Sequence, residues 1–188
     1  MVRPIAANRA ASYDDLRALP DDVVGEIVGG ELHASPRPTV PHAAATSVLG
    51  EELGPPFKRG RGGPGGWVLL DEPEVHLGPD VIVPDLGGWR RTRMPEIPGT
   101  AYISLAPDWV CEALSPSTAR LDRGPKLAVY TRERVPHIWF VDPVAQTLEL
   151  LRLDGETYRL ALTATAGDKV RAEPFDAIEL DLGLLWAR

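Results

Sequence analysis

The chain is 188 residues long and carries 20 Lys and Arg against 27 Asp and Glu, a formal net charge of -7 at pH 7. That is the length of one domain, and a chain of this size buries on the order of 70% of its unfolded surface, so a single core can hold it without staples. The acidity works against indiscriminate nucleic-acid binding, whose affinity comes from neutralised phosphates, and no apolar run approaches the roughly 20 residues that span a bilayer.

The lone Cys111 excludes an intramolecular disulfide and a cysteine zinc cluster. The opening MVRPIAANRAAS lacks the apolar stretch of a signal peptide. A flexible tail over residues 1–11, one domain over 12–188 and a cytoplasmic location are therefore expected. Gly (18) and Pro (19) together make about a fifth of the chain, against a usual share of about 12%. With 44% hydrophobic residues this means many turns and not disorder.

In chain order, Ser12 with Asp15 three positions on predicts a capped short helix to about Leu19. Val23 to Ala34 reads as a strand pair turning at Gly29-Gly30. His42 to Leu53 carries an apolar stripe at helical spacing, with Gly54 as its stop. Trp67 to Leu70 and Glu74 to Leu77 read as one extended segment bent at Pro73, paired with a strand over Val81 to Leu86. Trp109 to Leu114 has strand length. A helix capped by Asp122 follows, with Pro125 and Lys126 in its first turn. Ile138 to Val141, Thr147 to Leu153 and Tyr158 to Thr163 are strands between turns. Pro174 to Leu185 predicts a final strand closing the sheet. The sum is an α/β (α+β) domain with a central mixed β-sheet flanked by helices.

Candidate chemistry lies where charge is expensive. Glu112 interrupts the apolar W-V-C-E-A-L, where an ionised carboxylate costs several kcal/mol unless paired, protonated or bound to a cation. Asp85 ends V-I-V-P-D-L, where Pro84 denies the ladder a donor and opens the sheet. Carboxylates on neighbouring strands, about 4.8 Å apart, can share one divalent cation, and oxygen donors select magnesium or manganese. Lys126 can bring its ammonium back over the strand, where it can pair with Glu112. Two basic clusters, Lys58-Arg59-Arg61 and Arg90-Arg91-Arg93, face water or a phosphate backbone, and Trp89 beside the second could stack on a base.

The strings E-I-V-G-G-E-L, V-P-D-L, V-C-E-A-L-S-P-S-T, D-R-G-P-K-L-A-V-Y and V-P-H-I-W-F-V-D-P, taken together, resemble a bacterial restriction-endonuclease-like family, long catalogued as a domain of unknown function, within the PD-(D/E)XK nuclease superfamily. The resemblance runs from about Tyr13 to Leu185. It implies a restriction-endonuclease-like core with a metal site at the opening of the sheet, Asp85 and Glu112 as metal ligands, and the Ala113 carbonyl as a further ligand. The superfamily's lysine normally stands two positions after the acid. That position here is Leu114, and the lysine has moved to the following helix as Lys126. The early acid corresponds to Glu26, with Glu31 as the other candidate, and His42 matches a recurrent histidine.

The implied activity is Mg- or Mn-dependent endonucleolytic hydrolysis of DNA, with RNA also open. Trp186 and exposed strand edges offer surfaces through which the chain could pair as a homodimer. Arg59, Arg61, Arg90, Arg91, Arg93 and His42 are the candidate nucleic-acid contacts. A non-catalytic binding module on the same fold is the rival reading. A serine hydrolase lacks the G-x-S-x-G elbow, and zinc hydrolysis lacks an H-x-x-x-H spacing.

Overall fold

A computed structural model describes residues 9–186. Residues 1–8 of the expected tail lie outside that range, while Ala11 donates its backbone N–H to Gly30 O at 2.8 Å. Ser12 opens helix α1 (Tyr13–Arg17) through a reciprocal capping box with Asp15. Strands β1 (Val23–Val28) and β2 (Glu31–Pro36) are joined by Gly29-Gly30, at φ 62° and 82°. A two-residue hairpin turn of this kind needs positive φ at both central positions, which glycine accepts at least cost.

Helix α2 (Val40–Leu53) buries His42, Ala45, Leu49 and Leu53 as one stripe. Gly54 does not stop it. Its backbone stays right-handed, and the chain continues through a π-helical turn, Gly54–Lys58, that buries Phe57. Pro55 and Pro56 have no N–H to continue the regular ladder, so Arg59 N–H donates to Gly54 O five residues back.

The next four strands are β3 (Trp67–Asp71), β4 (Val75–Leu77), β5 (Asp80–Ile82) and β6 (Leu86–Arg90). The single bent segment expected over Trp67–Leu77 is instead two strands in different sheets, separated where Glu72 takes φ 43° before Pro73. The strand expected over Val81–Leu86 likewise splits, because Pro84 cannot donate to a ladder. β5 stays in a four-stranded antiparallel sheet of order β2-β1-β5-β4, while β6 enters a six-stranded sheet.

That sheet has the order β10-β9-β8-β7-β6-β3, with β7 (Trp109–Ala113), β8 (His137–Asp142), β9 (Thr147–Asp154) and β10 (Thr157–Thr165). It is mixed: β7 and β8 are parallel and its other pairs antiparallel. Parallel neighbours need a crossover, supplied by α3 (Ala119–Leu121), a π-helical turn (Asp122–Lys126) and α4 (Leu127–Arg132). The helical stretch thus begins earlier than expected. Asp122 lies inside it instead of capping it, Pro125 sits within the widened turn, and Lys126 falls in the middle.

Residues of β7 alternate between two cores. Trp109 and Cys111 pack with Leu49, Phe57 and Trp139 on the α2 side, and Val110 with Ile138, Val129 and Tyr130 on the crossover side. The expected C-terminal strand contracts to β12 (Leu180–Asp181), paired only with β11 (Lys169–Val170) and followed by a 3-10 turn, Leu182–Trp186. Phe175 leaves the strand pattern because its ring inserts among Phe57, Trp67, Trp109 and Trp139, with centroids 4.7 to 5.7 Å away. Among the described residues no helix is long and apolar enough to cross a membrane.

Candidate active site

The chain passes from one sheet to the other through Val83-Pro84-Asp85. The β6–β7 ladder ends at Leu86↔Cys111, and one further antiparallel step sets Asp85 opposite Glu112. Residues directly opposite share a face of the sheet. The Ala113 N–H, freed where the ladder ends, donates to Asp85 Oδ2 at 2.7 Å.

The other sheet supplies Glu26 from β1. Its Oε1 accepts the Val83 N–H at 2.8 Å, so an acid of the first sheet grips the crossing itself. Glu31, on β2, has a side chain 82% exposed and pairs only loosely with His33. The structure therefore places Glu26 in the site and Glu31 on the surface.

Lys126 comes from the crossover. Its Nζ lies 2.8 Å from Glu112 Oε1, 3.1 Å from Glu26 Oε1 and 3.3 Å from Asp122 Oδ1, and its side chain is 3% exposed. The Tyr130 hydroxyl, one turn further along, donates to Glu112 Oε1. From α2, His42 Nε2 meets Asp85 Oδ1 at 2.6 Å. Glu26, His42, Asp85, Glu112, Asp122 and Lys126 line a cleft with a cavity of about 90 Å³, flanked by Ser35 and Arg37 at the end of β2 and by Ser115 and Ser117 after β7.

Burial pushes the Glu112 carboxyl well above the ordinary carboxylate range, against the pull of Lys126 and with the push of Asp122, Asp85 and Glu26. Asp122 is raised for the same first reason. Burial works against the Lys126 ammonium, yet Glu112 and Glu26 outweigh it and hold the lysine charged. At His42 burial opposes the charged ring, but the bond to Asp85 leaves its pKa raised.

Among the described residues no three His, Cys, Asp or Glu side chains form a ready-made metal cluster. The Lys126 ammonium lies within 3.3 Å of Glu26, Glu112 and Asp122, and the His42 ring meets Asp85. The donor set nevertheless fits a hard divalent cation. Four carboxylates, Glu26, Asp85, Glu112 and Asp122, line one cleft with Lys126 and His42. Both side-chain partners of Glu112 engage Oε1, and among the described residues no hydrogen bond reaches its Oε2.

The basic clusters lie elsewhere. Arg90 is at the far end of β6 from Asp85, roughly 13 Å beyond Leu86 at about 3.3 Å per residue, with its guanidinium 4.4 Å from the Trp67 ring centroid. Arg93 donates to Asp108 Oδ1 at 2.7 Å, and Arg91 is exposed beside the Gly66 carbonyl. Arg59 lines a separate depression with Lys58, Leu69 and Asp71, and Arg61 is exposed in the Gly-rich loop. None of these five lines the cleft that holds the acids. Trp89 cannot stack on a base: it is 0% exposed and donates Nε1–H to Leu105 O.

Sequence reasoning missed Asp122, read as a helix cap, and Tyr130, to which it gave no role. Their signal was the D-x-x-x-K-x-x-x-Y spacing, which puts all three on one helical face.

Over residues 10–183 the chain matches the family model Uma2, described as "Putative restriction endonuclease". No curated protein matches it. Among solved structures, it is similar to a putative nuclease belonging to DUF820 from Anabaena variabilis, with a TM-score of 0.75 over 94% of this chain and 97% of that one. At 20% sequence identity, that likeness speaks for a shared fold.

Proposed function

The chain belongs to the Uma2 putative restriction endonuclease family, and on that premise we propose that it is a metal-dependent nuclease that hydrolyses phosphodiester bonds, with DNA as substrate and Mg or Mn held by Asp85 and Glu112. The observation that carries this reading is the convergence of three elements on one cleft: Asp85 opposite Glu112 across the open end of a ladder, with Lys126 Nζ 2.8 Å from Glu112.

The Ala113 carbonyl is a further candidate ligand. A bound divalent cation supplies polarisation of the phosphate and a lowered pKa for water. Lys126 orients the attacking water or stabilises developing negative charge from a water-poor position. Glu26 keeps Lys126 in register with the strand crossing. The placement of the arginines away from the acids favours the second reading, a binding module on a nuclease fold.

Supercoiled plasmid, linear duplex and single-stranded DNA incubated with Mg or Mn separate the two. Cleavage by the native protein, absent from Asp85→Asn and Glu112→Gln prepared identically, is expected. Equal cleavage by the mutants, or none by the native protein on any substrate, refutes the nuclease reading.

A further inference from the structure

Tyr130 has no part in the chemistry proposed above, yet it is built into the site. It sits on α4, one turn past Lys126, 1% exposed, and its ring belongs to the core on the crossover side of the six-stranded sheet. Its hydroxyl does not reach solvent or a carbonyl. It donates to Glu112 Oε1, the same oxygen that Lys126 meets at 2.8 Å. Two donors on one oxygen fix the carboxylate plane and leave Oε2 as the oxygen with no hydrogen bond among the described residues. Burial raises the Tyr130 pKa far above neutrality, so the group remains a donor.

A buried carboxylate without such a contact samples several rotamers about its side-chain torsions, and each unproductive one subtracts from ligand affinity. Groups that hold a metal ligand from behind are typically worth 10- to 100-fold in metal affinity or activity. We propose that Tyr130 is a positioning residue of the site: its hydroxyl pins Glu112 in the rotamer that presents Oε2 to a divalent cation in the cleft. The inference rests on the nuclease reading, since it assigns Glu112 the role of ligand.

The test is direct titration of the full chain with Mn2+, followed by calorimetry or by the manganese electron paramagnetic resonance signal, well below each protein's thermal midpoint. Tyr130→Phe keeps the packed ring and removes only the donor. Its Mn2+ affinity should fall by about 10-fold or more. Val129→Ala, a buried neighbour on the same helix, should lower the thermal midpoint and leave the affinity unchanged.

Equal Mn2+ affinity in the native protein and Tyr130→Phe overturns the inference alone. So does an equal loss in Val129→Ala, which would make the effect one of general helix stability. A native protein that binds no Mn2+ overturns the inference together with the metal-dependent reading beneath it.

Discussion

Lys126→Met keeps an unbranched stem of similar volume and removes one buried positive charge. Glu26, Glu112 and Asp122, with side chains 2 to 7% exposed, then lose the cation that stood 2.8 to 3.3 Å from each. Removing one member of a buried ionic group costs about 3–5 kcal/mol, because the remaining charge is left uncompensated. Glu112 relieves part of this by holding a proton, as burial already favours, which points to the lower end, about 3 kcal/mol. At roughly 2–4 °C per kcal/mol for a chain of this length, the midpoint should fall by about 6–12 °C at neutral pH in the presence of a chelator. Thermal melts by circular dichroism, with chelator and with Mn2+, read this out. Mn2+ should raise the midpoint of Lys126→Met more than that of the native protein, whose acids already have an ammonium among them. A variant that melts within about a degree of the native protein would refute the charge balance inferred from the geometry.

Two further predictions concern groups outside the cleft. Burial lowers the pKa of His137, against the pull of Glu173 and Asp108 and with a small push from Arg90. Its neutral ring therefore stabilises the fold above about pH 6.5, and that contribution drains away as pH falls below it. His137→Gln should show a smaller drop in thermal midpoint between pH 7 and 5 than the native protein, and an unchanged drop would remove the assignment. Burial also pushes the Cys111 thiol well above its ordinary range, with Asp85 and Glu112 adding to the push. A chromogenic thiol reagent should find no reactive group in the folded protein and one per chain in denaturant. Prompt native reaction would show that the core around Trp109 and Trp139 opens readily.

What was legible in the sequence follows from how local its cause is. The strands from β8 to β10 announce themselves through alternation and the turn residues between them, and the β1–β2 hairpin through Gly29-Gly30. Asp85 and Glu112 stood out because a charge in an apolar run has few affordable explanations. The sheet to which β4 belongs could not be read, because three residues pair with whatever strand the fold brings alongside. The choice between Glu26 and Glu31 turned on which side of the hairpin packs against the crossing, a non-local fact. Both π-helical turns escaped because Gly54 was read as a helix stop and Pro125 as part of a regular first turn, whereas here the backbone widens around the prolines. Phe175 misled through its spacing: its position is set by four aromatic rings from distant parts of the chain.

Asp85 lies on the only stretch of backbone that leads directly from β5 to β6, and it is held from both directions. Glu26 restrains the residue two before it from the four-stranded side, and the Ala113 amide restrains its carboxylate from the six-stranded side. A displacement of one sheet against the other therefore bears on the two hydrogen bonds that flank this carboxylate. On the nuclease reading, a substrate that parts the seam would turn away the acid proposed to hold the metal, whereas one that leaves it shut keeps that acid aimed. In this fold the aim of one side chain gauges the fit between two halves of the protein.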